Sequence, residues 1–419
     1  MEKIVVEGGV ALKGSVEISG SKNSSLPILA ATALFGGEYT ISNVPRISDV
    51  ETMLKLLETL GAEACFEDNS VSINTKKISK HEAPYDLVKT MRASVLIWGA
   101  LLGRFGRARI SFPGGCAIGD RPIDQHIKGF EALGYETTIG GGYLESISPK
   151  ETGGSYKFAV KSVTGTENLI LSSILAKRST VLYNCAVEPE VEDLINFLSS
   201  LGAAINQKGE TIEIVPTTSL NSQSEPYRVI PDRIEAGTFL ALGSITGNEI
   251  EILNCEPKHL DEARRAIESV GSKVQGQGLS TLKVSSPLTV SPTDIETNPY
   301  PFFPTDLQAQ LMSVLVLANG ASKITENIFP NRFIHIAELR KLGAEISLKG
   351  NVATVRGVKE LIGANMQASD LRASASLLIG ALSAKGRSEV HRIYHLDRGY
   401  ESIDNKLQSL GARIWREKE

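Results

Sequence analysis

The segment Phe112-Pro113-Gly114-Gly115-Cys116-Ala117-Ile118-Gly119-Asp120-Arg121-Pro122-Ile123-Asp124 places one cysteine among three glycines and two prolines. That composition predicts a mobile loop. A thiol on such a loop, close to an arginine, can have a depressed pKa and act as acid, base or nucleophile. A buried loop cysteine is the plainer alternative. Five other stretches carry polar residues where apolar helices begin: Ser21-Lys22-Asn23, Thr90-Met91-Arg92, Ser162-Val163-Thr164, Pro231-Asp232-Arg233 and Thr305-Asp306, with Ser369-Asp370-Leu371-Arg372 as a sixth. Helix N-termini present free N–H groups and partial positive charge, so several of them directed at one place would bind anions. Capping explains Thr305, Asp306, Ser369 and Asp370 equally well. Lys22, Arg92 and Arg372 are cations at the electropositive helix end, which is locally unfavourable. Each calls for a bound anion or a carboxylate nearby.

These stretches recur because the chain is a repeat. Helix, Leu-Gly (once Val-Gly), then a strand appears six times, at Gly61, Gly134, Gly202, Gly271, Gly343 and Gly411, spaced 68 to 73 residues apart. Each glycine reads as the left-handed residue that ends a helix. An earlier helix in each unit begins near Lys22, Arg92, Thr166, Arg233, Asp306 or Asp370. Most of these end at a glycine such as Gly36, Gly103, Gly247, Gly320 or Gly386. This earlier helix is apolar nearly all round and so buried. The later one, as in Val50-Glu51-Thr52-Met53-Leu54-Lys55, is amphipathic and covers a surface. Short alternating strands such as Thr211–Val215 complete a βαβαββ unit. Three units precede Arg228-Val229-Ile230-Pro231 and three follow. The predicted lobes are residues 21–230 and residues 1–20 with 231–419, with a second crossing at Ile18-Ser19-Gly20-Ser21. The N-terminal strand is free to complete the second lobe.

Composition narrows the classes. The chain has 419 residues, is 42% hydrophobic and 22% charged, and carries a net charge of -4. This is globular material of more than one domain. No long basic run points to nucleic acid. No apolar run spans a bilayer, and no signal peptide is expected. Four cysteines, Cys65, Cys116, Cys185 and Cys255, form no C-x-x-C pair. The reading is a reducing, cytoplasmic location, with Cys65, Cys185 and Cys255 as core residues. The histidine spacing suggests no metal site.

Ser19-Gly20-Ser21-Lys22-Asn23, Pro113-Gly114-Gly115-Cys116 with Arg121-Pro122, Phe303-Pro304-Thr305-Asp306-Leu307-Gln308-Ala309-Gln310, Asn331-Arg332-Phe333, Asp370-Leu371-Arg372-Ala373-Ser374 and Asp397-Arg398-Gly399-Tyr400 resemble the UDP-N-acetylglucosamine 1-carboxyvinyltransferases. The match runs from about residue 4 to 413. The resemblance implies an α/β fold: a two-lobed inside-out α/β barrel of six βαβαββ repeats, helices within and sheets without, closing on substrate. It implies two small-molecule substrates, phosphoenolpyruvate and UDP-N-acetylglucosamine, and no cofactor, metal, nucleic acid or membrane. Shikimate-pathway enolpyruvyl transferases share the fold but are not expected to carry the Pro-Gly-Gly-Cys loop.

On the matching positions, the resemblance implies that Cys116 donates a proton and Asp306 accepts the acceptor hydroxyl's proton. Lys22, Arg121 and Arg398 would bind phosphoenolpyruvate, with Lys22 and Arg398 counted as catalytic. Asn23 and Arg92 would lie at the substrate site. Arg121, Pro122, Ile123, Asp124 and Gln125, with Lys161, Ser162, Val163 and Thr164, would hold the uridine and diphosphate. Ile328 and Asp370 would touch substrate, Arg332 and Arg372 would stabilise charge, and Glu188, Glu190 and Asp232 would support them. Thr164 departs from the glycine often found there. Two alternatives remain on sequence alone: a sibling transferase with another acceptor, and a silent paralogue that only binds a UDP-sugar.

Overall fold

A computed structural model of the chain describes residues 2–112, 123–149 and 151–419. The described chain divides into two compact units. One contains residues 2–19 and 231–419; the other contains the described residues from 20 to 230.

Each unit is built round three inner helices. In residues 20–230 these are α1 (Lys22–Thr32), α2 (Leu96–Phe105) and α3 (Val163–Ser173). In the other unit they are α4 (Arg233–Gly243), α5 (Gln308–Leu315) and α6 (Leu371–Ser383). They are buried on nearly every side, so even their serines, threonines and amides must find partners inside. Asn168 of α3 is one such residue. Its Oδ1 accepts from the Gly99 backbone N–H at 2.7 Å and its Nδ2 donates to the Val95 carbonyl at 3.1 Å. A Cβ on Gly99 would fall 2.3 Å from the Asn168 carbonyl oxygen, so α2 needs glycine where α3 crosses it.

Outside the inner helices lie amphipathic ones, such as Ser48–Leu60, Pro189–Ser200 and Asp261–Ser269. All six repeat glycines have positive φ, from 91° to 117°. Gly61 is itself the left-handed cap of its helix. The expected stop at Gly103 is displaced: α2 continues to Phe105 and ends on the left-handed Gly106. Gly103 is inside α2 because it touches Leu34 and the Leu171 carbonyl, where a Cβ would lie 2.5 and 2.9 Å away.

Among the described residues, six four-stranded sheets cover the helices. In the third repeat, Gly154–Lys157 runs parallel to Thr180–Tyr183. That strand pairs antiparallel with Thr211–Val215, whose other edge takes Ala204–Lys208. This is the βαβαββ unit in full. Three sheets borrow a strand from elsewhere in the same unit. Tyr227–Arg228 lies parallel to Glu38–Ser42, and Lys13–Glu17 lies parallel to Glu249–Leu253. Glu2–Gly8 sits between Gly386–His391 and Arg413–Lys418, antiparallel to both. Among the described residues the sheets are separate, each with two edges, and no strand pairing closes them into a continuous barrel. No helix among the described residues is long and apolar enough to cross a membrane.

Candidate functional site

The unit of residues 2–19 and 231–419 gathers charge at the starts of α4, α5 and α6. A short 3-10 turn, Thr305–Leu307, precedes α5. Asp306 on that turn is held by two arginines. Arg332 Nη1 donates to Oδ1 at 2.6 Å, and Arg372 Nη2 and Nε donate to Oδ2 at 3.1 and 3.2 Å. Arg372 lies in α6, while Arg332 follows the strand Ala321–Glu326, so three elements converge on one carboxylate. Burial would lift the Asp306 carboxyl, but the two guanidinium charges outweigh it and hold the group well below the usual carboxylate range. Its side chain remains 26% exposed, within reach of a ligand.

The support behind this group is polar. Gln310, fully buried, donates from Nε2 to the Asp306 carbonyl at 2.8 Å and to Thr238 Oγ1 and the Tyr400 hydroxyl, both at 3.2 Å. Thr238 and Tyr400 are hydrogen-bonded to each other at 2.9 Å, and the Arg372 guanidinium lies 5.4 Å from the Tyr400 ring centroid. Asp370 and Asp232 serve as caps. Asp370 Oδ1 accepts from the backbone N–H groups of Arg372 and Ala373 at 2.9 and 3.0 Å. Asp232 Oδ1 accepts from those of Ile234 and Glu235 at 2.8 and 3.0 Å. Arg398 ends the turn Ile393–Arg398, and its charge reaches His395. Ile328 donates its backbone N–H to Glu326 Oε1 at 2.8 Å.

In the unit of residues 20–230, Lys22 at the start of α1 bonds Asp49 Oδ2 at 2.7 Å, both groups being buried. The cation at a helix start has thus found a carboxylate, as has Arg372. Asn23 beside it is partly exposed. Arg92 opens the 3-10 turn before α2. Burial, reinforced by the charge of Arg92, pushes the His126 imidazole down to about 3. His126 Nε2 meets Thr164 Oγ1 at 3.1 Å. The residue that departs from glycine therefore uses its side chain to hold a neutral histidine.

Ser162 caps α3, accepting from the Gly165 N–H at 3.1 Å, and Val163 is the first residue of that helix. Lys161 pairs with Glu210 at 2.6 Å. Ile123 is buried; Asp124 Oδ2 takes Gln125 Nε2 at 2.9 Å, and Gln125 Oε1 accepts from Tyr156 and the Ala159 N–H at 3.1 and 3.0 Å. Glu167 in α3 is buried; burial, with Glu190 and Glu188 beside it, raises its carboxyl well above the usual range.

Cys116, Arg121 and Pro122 lie outside the described residues. Cys185 and Cys255 are buried, and burial pushes their thiols up to about 12 and about 11. Cys65 is a correction: it is exposed, on the solvent face of an edge strand, where the charge of Glu67 raises its thiol. Sequence reasoning missed His126 and Glu326. A histidine two residues beyond Asp124, and a glutamate alone at a strand end, offer no pattern that separates them from surface residues.

Comparison with known proteins assigns the chain to a family. The profile of the EPSP synthase (3-phosphoshikimate 1-carboxyvinyltransferase) family matches residues 6–407, and the chain belongs to that family. It is 50% identical over 420 residues to a UDP-N-acetylglucosamine 1-carboxyvinyltransferase of Desulfovibrio desulfuricans, covering 100% of both chains. It is 48% identical over 420 residues to the protein of that name in Geotalea daltonii, again covering 100% of both. The fold is that of the enolpyruvyl transferase NikO from Streptomyces tendae, with a TM-score of 0.88 at 24% identity over 99% of this chain and 98% of the other.

Proposed function

We propose that the chain transfers the enolpyruvyl group of phosphoenolpyruvate to the 3′-hydroxyl of UDP-N-acetylglucosamine and releases phosphate, the first committed step of peptidoglycan precursor synthesis. The observation that carries this reading is the Asp306 carboxylate, partly exposed between Arg332 and Arg372 at the start of a buried helix. The full-length likeness to enzymes of that name supports it.

The hydroxyl oxygen bonds to carbon 2 of phosphoenolpyruvate while a proton adds to carbon 3. Carbon 3 then loses a proton, the carbon–oxygen bond to phosphate breaks, and the enol ether remains. Asp306 accepts the hydroxyl proton and Cys116 supplies the one for carbon 3. Alone, Asp306 is a weak base because its arginines hold it ionised. The negative charge of the phosphate and carboxylate of phosphoenolpyruvate, once bound nearby, raises the basicity of Asp306 when it is needed. Lys22, Arg121 and Arg398 hold those anionic groups. Asn23, Arg92, Ile123 to Gln125 and Lys161 to Thr164 hold the nucleotide sugar, with Ile328 and Asp370. The substrates are those of a cytoplasmic enzyme, and no nucleic acid or membrane partner is needed.

The test is phosphate release from phosphoenolpyruvate with and without UDP-N-acetylglucosamine. Release that depends on the nucleotide sugar supports the reading; release with another acceptor only, or none, overturns it. Fosfomycin, an epoxide phosphonate, should label Cys116 and spare Cys65, Cys185 and Cys255 in peptide mapping.

A further inference from the structure

Four of the six repeat units end their second strand on Ser42, Tyr183, Leu253 or His391, all partly or well exposed, and the second repeat ends it on Ser111, buried but uncharged. The fifth unit ends it on Glu326, which is fully buried. A buried carboxylate is costly unless its oxygens are satisfied, and these are. Oε1 accepts from the Thr297 hydroxyl at 2.7 Å and from the backbone N–H groups of Ile328 and Phe329 at 2.8 and 2.9 Å. Oε2 accepts from the Thr305 hydroxyl at 2.8 Å. Thr305 in turn accepts from Arg332 Nη1 at 3.1 Å, the same nitrogen that donates to Asp306.

The direction of this chain is fixed at both ends. A guanidinium can only donate and a carboxylate only accept, so the Thr305 proton must point at Glu326 and its lone pair at Arg332. We infer that Glu326 is a positioning residue for the reaction proposed above. Through Thr305 it orients Arg332 on the Asp306 carboxylate, and through its other oxygen it fixes the Ile328–Phe329 backbone. The inference rests on that reading of function for its kinetic arm alone.

Glu326→Gln separates the two duties. The two backbone N–H groups require an acceptor, so the amide oxygen must take the Oε1 place and the NH2 must face Thr305. The loop anchor survives, and the Thr305 proton loses its acceptor. The expected result is a kcat lower by about 10–100-fold, with the UDP-N-acetylglucosamine KM nearly unchanged. Thr305→Val should show a similar loss and Thr305→Ser should recover most of it. The double variant Thr305→Val/Glu326→Gln should be no worse than the weaker single, because both cut one chain.

Wild-type kcat in both single variants, or losses that multiply in the double, would overturn the inference. The threonine pair answers the question even if Glu326→Gln does not fold. A readout independent of turnover is the Asp306 carboxyl, followed by carbon-13 NMR titration. Its pKa should rise in Thr305→Val and return in Thr305→Ser; an unmoved pKa in Thr305→Val also overturns the inference. If the wild-type enzyme releases no phosphate, the function fails, and the titration still decides whether Glu326 and Thr305 position the Arg332–Asp306 pair.

Discussion

Asp306 and Asp370 stand at the starts of neighbouring inner helices in the same unit, and their sequences are equally suited to capping. The structure separates them. Asp370 accepts from two backbone N–H groups at the head of α6. Asp306 accepts from the side chains of Arg332 and Arg372. Asp370 caps its helix, whereas Asp306 faces two guanidinium groups. The difference lies in the turn: the Thr305–Leu307 segment is a 3-10 turn leading into α5, and the Asp306 side chain is turned away from the helix end toward the two guanidinium groups. The spacing of polar residues before an apolar run cannot reveal this, because a cap and a ligand-facing carboxylate occupy the same places in sequence.

The largest expected effect is on Asp306→Asn. The shape is kept and the base is lost, so turnover should fall by about 10²–10⁴-fold, while calorimetric affinity for UDP-N-acetylglucosamine changes little. An asparagine variant with ordinary turnover would put Asp306 back beside Asp370 as architecture. Next comes Arg372→Lys. A lysine keeps the charge but cannot offer both Nε and Nη2 to Oδ2. We expect a loss in kcat of about 10-fold or more, on the scale of misoriented catalytic groups, together with a rise in the Asp306 pKa.

Smaller still is Asp370→Ala, which should cost roughly 0.5–2 kcal/mol in denaturant unfolding through the lost cap. Asp370→Asn keeps an acceptor at the cap and should recover most of that stability. Failure of asparagine to do so would assign Asp370 a charge-dependent duty and blur the contrast.

The most gradual effect is a pH slope. His335, packed near Asp370 and Arg332, is buried and its imidazole is pushed down to about 4, chiefly by burial. Its folded value lies below the unfolded one, near 6.5, so the unfolded chain binds more protons between the two. Stability is therefore full above pH 6.5 and falls as pH drops toward 4, at most about 1.4 kcal/mol per pH unit from this group. His335→Gln should flatten that part of the pH–stability curve, as read by chemical denaturation. His126→Gln should do the same in the other unit.

Much of the fold was legible because its signals are local. A glycine that ends a helix is chemically distinctive, and six of them at a steady interval reveal the repeat. Strand exchange was legible only in part. A strand left over at the N-terminus was visible, but Tyr227–Arg228 is a two-residue strand with no period to read. Of the site, the cations at helix starts were conspicuous because they oppose the dipole, and two of them have their carboxylates, Asp49 and Asp306. Those partners lie 27 and 66 residues away in sequence. Nothing in either residue's own neighbourhood names the other. Glu326 was illegible for the same reason: its meaning comes from Thr297, Thr305 and two backbone amides that only the folded chain assembles.

The borrowed strands also bear on how the chain is made. Glu2–Gly8 emerges from the ribosome hundreds of residues before Gly386–His391 and Arg413–Lys418, the two strands that flank it. It is an apolar segment with both edges open throughout that interval. The wait is shorter for Glu38–Ser42, whose open edge is covered once Tyr227–Arg228 is made. The early strand therefore waits for partners that only synthesis of the last repeat supplies.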